Sequence, residues 1–141
     1  CEKFLGKPVS IMIFPEGTRF TPAKHAQQQS PLPALLKPKS GGMAYALDAM
    51  GKGLHAILDV TLHYPNGIPG MADLIADRIK HVYVEVRLRP IPDVLRAGDY
   101  ENDRAFRAQF QQWMNGLWQD KQQIMDGFSR PSPSIPSRSA C

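Results

Sequence analysis

Apolar positions in this chain fall into several short clusters fenced by proline and glycine, followed by one long periodic segment. From Glu101 to Phe128, the residues Phe106, Phe110, Trp113, Met114, Leu117, Trp118, Met125 and Phe128 recur at helical spacing, which predicts a long helix with one apolar stripe. The opposite face carries Gln and mixed charge rather than Lys, so the stripe is read as packing into a core and not as lying in a lipid interface. Two stretches, "HAILDVTLHY" (His55 to Tyr64) and "KHVYVEVRL" (Lys80 to Leu88), read as strands. In the second, Val82, Val84, Val86 and Leu88 share one face while Tyr83, Glu85 and Arg87 take the other, so one face is expected to be exposed or to meet polar neighbours. Ser10 to Phe14 is short, bulky and bounded by Pro8 and Pro15, and it predicts a buried strand.

The connections are equally patterned. Residues 20 to 39 contain Pro22, Pro31, Pro33 and Pro38, each of which removes a backbone donor, so any helix there is short. Ser40 offers an N-cap to "GGMAYALDAMG", with Met43, Leu47 and Met50 at helical spacing and Gly51 or Gly53 able to end the helix. "PNGIPGMADLIADRI" reads as a turn followed by a weak helix, and "SRPSPSIPSRSAC" (129 to 141) as a disordered Ser/Pro-rich tail. Together these elements predict an α/β class, a partial mixed sheet with flanking helices, in one domain over residues 1 to 128.

Composition narrows the picture. The chain has 141 residues, 43% hydrophobic and 21% charged, enough for one modest core. No run approaches the roughly 18 apolar residues of a membrane span. The start, "CEKFLGKP", has neither an initiator Met nor a signal-peptide pattern and reads as the interior of a longer protein. Cys1 and Cys141 fit neither a disulfide framework nor a zinc site and read as incidental thiols; no metal is expected, because no His, Cys and carboxylate cluster has ligand spacing. The net charge of +4 is local: residues 1 to 40 carry six cations against two carboxylates, whereas the remainder balances at eleven of each. Such a field favours an anionic ligand or surface, although solvated lysines are the commoner meaning of scattered charge.

The positive region centres on "IFPEGTRF". An apolar strand that delivers Glu16, Gly17, Thr18 and Arg19 into a loop places polar groups at a sheet end, where ligands of α/β folds gather. Gly17 permits close backbone approach, Thr18 supplies a hydroxyl, and Arg19 supplies a planar fork matched to phosphate oxygens. Glu16 repels an anion, so its expected role is to orient Arg19 or a loop donor from behind. The competing reading is a Glu16–Arg19 ion pair that merely stabilises a turn. Lys37, Lys39 and the helix start at Ser40-Gly41-Gly42 are possible secondary anion contacts, with a plain N-cap as the alternative.

"FPEGTRFTPAKH", followed by "LLKPKSGG" and "ILDVTLHYP", resembles the phospholipid/glycerol acyltransferase family, of the 1-acylglycerol-3-phosphate acyltransferase type, most strongly over residues 1 to 65. Phe14 to Arg19 matches its phosphate-binding block; Phe20, Thr21, Lys24, His25 and Ser30, then Asp59 to Tyr64, then Trp118, Asp120 and Lys121, are similar to later blocks of one subgroup. The resemblance implies the C-terminal part of a glycerophospholipid acyltransferase-like domain. It further implies transfer of an acyl group from acyl-CoA or acyl carrier protein, as co-substrate and without another cofactor, to 1-acylglycerol 3-phosphate, giving phosphatidic acid. Glu16, Gly17, Thr18 and Arg19 would then form the acceptor-phosphate site, in a protein associated with the cytoplasmic face of a membrane and binding no nucleic acid.

That family places an Asp five positions after its catalytic His. Here His25 reaches Ser30, His55 reaches Val60, His63 reaches Ile68 and His81 reaches Val86, so no residue of this chain is assigned a catalytic role. "HAILD" (His55 to Asp59) has one residue too few and is declined as a dyad. The expectation is an inactive piece of an enzyme whose proton-transfer block lies upstream, with apolar surface left open by the missing layers. Two alternatives stay open: a non-catalytic module that binds anionic lipid or a membrane surface, and an acyltransferase for another lysophospholipid.

Overall fold

The computed structural model describes residues 10–50, 53–96 and 98–129. The Ser/Pro-rich segment from 130 onward, Cys1, Cys141, Lys3, Lys7 and Gly51 lie outside the described residues. The longest element is α4 (Arg104–Ser129). It begins where Asp103 accepts hydrogen bonds from the backbone N–H groups of Ala105 (2.8 Å) and Phe106 (3.1 Å), a side-chain cap that satisfies the first turn. Phe110, Met114, Trp118 and Ile124 are buried along its inner face. The stripe therefore packs into a core, as its polar face predicts.

That core gathers Leu35, Ala44, Leu47, Ile91, Leu95, Phe110, Met114 and Trp118, with Phe106, Trp113, Leu117 and Met125 packed partly against it. Tyr100 and Trp113 meet the Phe110 ring edge-on at 5.7 and 5.4 Å, the geometry that aromatic quadrupoles favour. Helix α1 (Pro22–Gln28) is short, as the flanking prolines require, and α2 (Gly41–Met50) buries Ala44, Ala46, Leu47 and Met50. Ser40 stands just before α2, and its carbonyl accepts from Ala44 N–H at 2.9 Å. Its hydroxyl does not cap the helix; it donates to Gln111 Oε1 and shares a bond with Tyr100 Oη, both at 2.6 Å. The helix start thus serves as a strut to α4.

Strands β1 (Ala56–His63) and β2 (Tyr83–Pro90) pair antiparallel, with Asp59 opposite Arg87 and Val60 opposite Val86. Between them lies the single-turn helix α3 (Met71–Ile75), and a 3-10 turn (Asp93–Leu95) follows β2. The side facing α4 carries Ile57, Asp59, Thr61 and Arg89, with Thr61 buried. The opposite side is an open apolar ladder of Leu58 beside Leu88, Val60 beside Val86 and Leu62 beside Val84. The alternation of β2 is therefore as expected, but its apolar face points outward, because Asp59 and Arg89 are drawn toward charged partners on α4.

The strand expected at Ser10 to Phe14 is corrected. The segment is irregular, no strand pairs with it among the described residues, and Met12 and Phe14 are 81% and 76% exposed. A strand needs a neighbour for its backbone groups, and the two described strands pair with each other. Among the described residues no helix is long and apolar enough to cross a membrane.

Candidate functional site

Pro15 and Glu16 form a turn closed by Gly17 N–H donating to Phe14 O at 2.9 Å. Gly17 has φ +68°, a left-handed conformation that strains other residues. The segment Leu36 to Lys39 runs beside this turn: Lys39 N–H donates to Pro15 O at 2.8 Å, and Leu36 N–H donates to the Glu16 carboxylate. Burial alternates from Leu36 to Ser40, which leaves Lys37 and Lys39 on the outer side. The Lys39 ammonium lies 3.7 Å from where a Cβ on Gly17 would stand.

The residues after the turn bring a third cation. Thr21 caps α1 by accepting from Lys24 N–H at 3.2 Å, and Pro22 takes a position whose missing N–H costs nothing. The Lys24 ammonium then reaches back and donates to Thr18 Oγ1. An ammonium on that oxygen polarises the hydroxyl, whose own proton remains available to an acceptor. His25 Nε2 meets Leu32 O at 2.7 Å and Ser30 Oγ donates to Leu35 O at 2.7 Å, so both staple the following loop and take no part in the site.

Gly17, Thr18, Lys24 and Lys39 are thus brought together, and Arg19, next in the chain, is exposed with no ion-pair partner among the described residues. The Glu16–Arg19 ion pair of the competing reading is not formed among the described residues, and of the two expected partners Glu16 takes a loop donor, the Leu36 N–H, rather than Arg19. Glu16 turns inward instead and accepts from Trp118 Nε1–H at 3.2 Å. Burial pushes its pKa up, partly offset by the Trp118 and Leu36 hydrogen bonds and the Lys121 charge. A carboxyl whose pKa rises on folding binds its proton more tightly when folded. Its stabilising contribution is therefore full at low pH and is lost as pH rises through the folded pKa. Glu16→Gln retains an acceptor without the charge, so the stability of the wild type relative to this variant falls from about pH 4 to pH 7. Urea midpoints of the two proteins across that range measure the difference, and parallel profiles contradict it.

Behind Trp118 lies an ionic cluster that local spacing does not reveal. The Lys121 ammonium pairs with Asp59, donates to Val60 O at 2.8 Å and Thr61 Oγ1 at 3.1 Å, and sits 5.7 Å from the Trp118 ring centre. Arg89 bridges Asp59 (3.2 Å) and Asp120 (2.6 Å). Burial opposes the charged guanidinium, but the Asp120 hydrogen bond and the fields of both carboxylates outweigh it and raise its pKa. Asp59 is committed to Lys121 and Arg89. One sequence signal was present: charged residues at Asp59 and Arg89 on the side of the hairpin that faces a helix.

No protein-family model matches the chain, and no solved structure matches it. It is similar to lysocardiolipin acyltransferase 1 of Mus musculus, 25% identical over 134 residues covering 86% of this chain and 33% of the relative. The 2-acyl-1-lysophosphatidylinositol acyltransferase of Saccharomyces cerevisiae is 23% identical over 131 residues, with the same coverage of 86% and 33%. Lysocardiolipin acyltransferase 1 of Danio rerio is 25% identical over 137 residues, 90% of this chain and 34% of the relative. The chain spans about a third of the length of these curated relatives. Similarity to lysophospholipid acyltransferases therefore accompanies the exposed basic turn.

Proposed function

We propose that these residues form the acceptor-phosphate portion of a lysophospholipid acyltransferase. The observation that supports this reading is the basic turn itself: Lys39 lies over Gly17, Lys24 meets Thr18 and the exposed Arg19 follows next, in a chain similar to enzymes of that activity. A phosphate seated there meets a guanidinium fork, two ammonium groups and a hydroxyl, and Gly17 lets it approach the backbone. Holding the headgroup fixes the lipid hydroxyl relative to an acyl thioester, on acyl-CoA or acyl carrier protein. In the transfer, the hydroxyl oxygen attacks the thioester carbonyl, its proton passes to a His base, and the thiolate leaves. That base is proposed to come from polypeptide outside this chain, which leaves the chain alone inactive, and the place of action we propose, as a separate reading, is the cytoplasmic face of a membrane.

The narrower acceptor is 1-acylglycerol 3-phosphate, as the Phe14-to-Arg19 block suggests. The relatives' names point instead to lysocardiolipin or lysophosphatidylinositol, which share the phosphate. Acyl transfer is measured with the chain and with the longer polypeptide of its reading frame, against all three acceptors. The expected result is turnover by the longer form only, with one acceptor preferred at least about tenfold in kcat/KM. No turnover by either form with any acceptor contradicts the proposal.

A second reading, an anionic-surface binding module, is favoured by the exposed Ile11, Met12 and Phe14 just before the basic turn. Vesicle binding that falls steeply with salt and ignores headgroup identity supports it; headgroup selectivity that survives salt supports the enzyme.

A further inference from the structure

Arg19 and Lys39 raise a question of self-inhibition. Glu16 adjoins Gly17 in the chain, three residues before Arg19, and the Lys39 ammonium lies over Gly17, so the protein's own carboxylate is a built-in competitor for these cations. An intramolecular partner on so short a tether has a very high effective concentration and competes with any ligand. Yet neither cation pairs with a carboxylate among the described residues. Glu16 is drawn the other way, accepting from Trp118 Nε1–H at 3.2 Å and from the Leu36 backbone.

We propose that Trp118 is a positioning residue of the anion-binding turn: its indole N–H holds the Glu16 carboxylate against α4, so that Arg19 and Lys39 stay available to a phosphate. The indole is itself immobilised. It is buried in the core, and its ring carries the Lys121 ammonium at 5.7 Å, a cation anchored in turn by Asp59, Val60 O and Thr61. A buried indole N–H needs an acceptor, and Glu16 is the one it finds. The bond therefore satisfies the tryptophan and removes a competitor from the site in one contact. This inference rests on the reading of the turn as a phosphate site.

The test measures binding of a short-chain lysophosphatidate, below its micelle concentration, to the 141-residue chain by calorimetry. Trp118→Phe keeps a ring but removes the donor, and affinity falls about 5- to 10-fold. The double variant Trp118→Phe with Glu16→Gln lacks the competing charge and returns to within about twofold of wild type. Unchanged affinity in Trp118→Phe, or a double variant as weak as the single, overturns the proposal; the second result assigns Trp118 to packing alone. Arg19→Lys runs in parallel, and an unchanged affinity there refutes the phosphate-site reading itself. The tether is decided without ligand by solvent exchange of the Trp118 indole N–H, which speeds up several-fold in Glu16→Ala. An unaltered exchange rate overturns the tether whether or not the turn binds phosphate.

Discussion

Asp59→Ala lowers the unfolding free energy by about 3–5 kcal/mol, the largest loss expected from any single charge among the described residues. The side chains of Asp59, Arg89 and Lys121 are only 10%, 16% and 11% exposed, so water cannot replace the missing carboxylate. Removing Asp59 leaves the Lys121 ammonium with Val60 O and Thr61 Oγ1 and leaves Arg89 with Asp120 alone. A buried cation stripped of its counterion costs far more than the pair contributed. The exposed pair Arg78–Asp73, at 69% and 36%, gives the contrast: Asp73→Ala, which also gives up the bond from Gly70 N–H at 2.8 Å, costs about 1–2 kcal/mol. Urea denaturation of both variants checks the difference, and a loss for Asp59→Ala no larger than for Asp73→Ala refutes this account of how α4 is held to the hairpin.

Under the proposed function, Arg19→Lys raises the Michaelis constant for the lysophospholipid acceptor roughly 10- to 100-fold in an acyltransferase polypeptide that carries this chain and leaves kcat nearly unchanged. Lysine retains the charge, but a rotating ammonium does not reproduce the two parallel N–H donors of a guanidinium. Arg19 is exposed and makes no ion pair among the described residues, so little stability depends on it and the effect falls on binding. Steady-state kinetics against acceptor concentration separates the two parameters. A drop in kcat with constant KM places Arg19 at the chemistry rather than at the headgroup.

Elements whose reasons are local were legible in the sequence. The period of α4, the shortness of α1 among its prolines and the alternation in β2 all rest on residues within a few positions of one another. Ser10 to Phe14 was misjudged because a strand is defined by a partner, and hydrophobic content alone does not supply one. The outward turn of the β2 valines was equally hidden: it follows from Asp59 and Arg89 meeting Lys121 and Asp120, residues about 30 positions or more away. Within the candidate site, Gly17, Thr18 and Arg19 could be read from one short segment. The destination of Glu16 could not, since Trp118 lies 102 positions downstream. Lys24 appeared only as part of a family-like string, and its contact with Thr18 depends on where α1 begins.

The outward ladder of Leu58, Val60, Leu62, Val84, Val86 and Leu88 bears on how the chain behaves at a bench. Water wets this ribbon poorly, and contiguous apolar patches of this kind seek any oily counterpart, including a plastic wall or another molecule of the same sort. Dilute samples are then expected to be lost to surfaces and concentrated ones to turn turbid. Mild nonionic detergent suppresses both, and so does a single lysine in place of Val86.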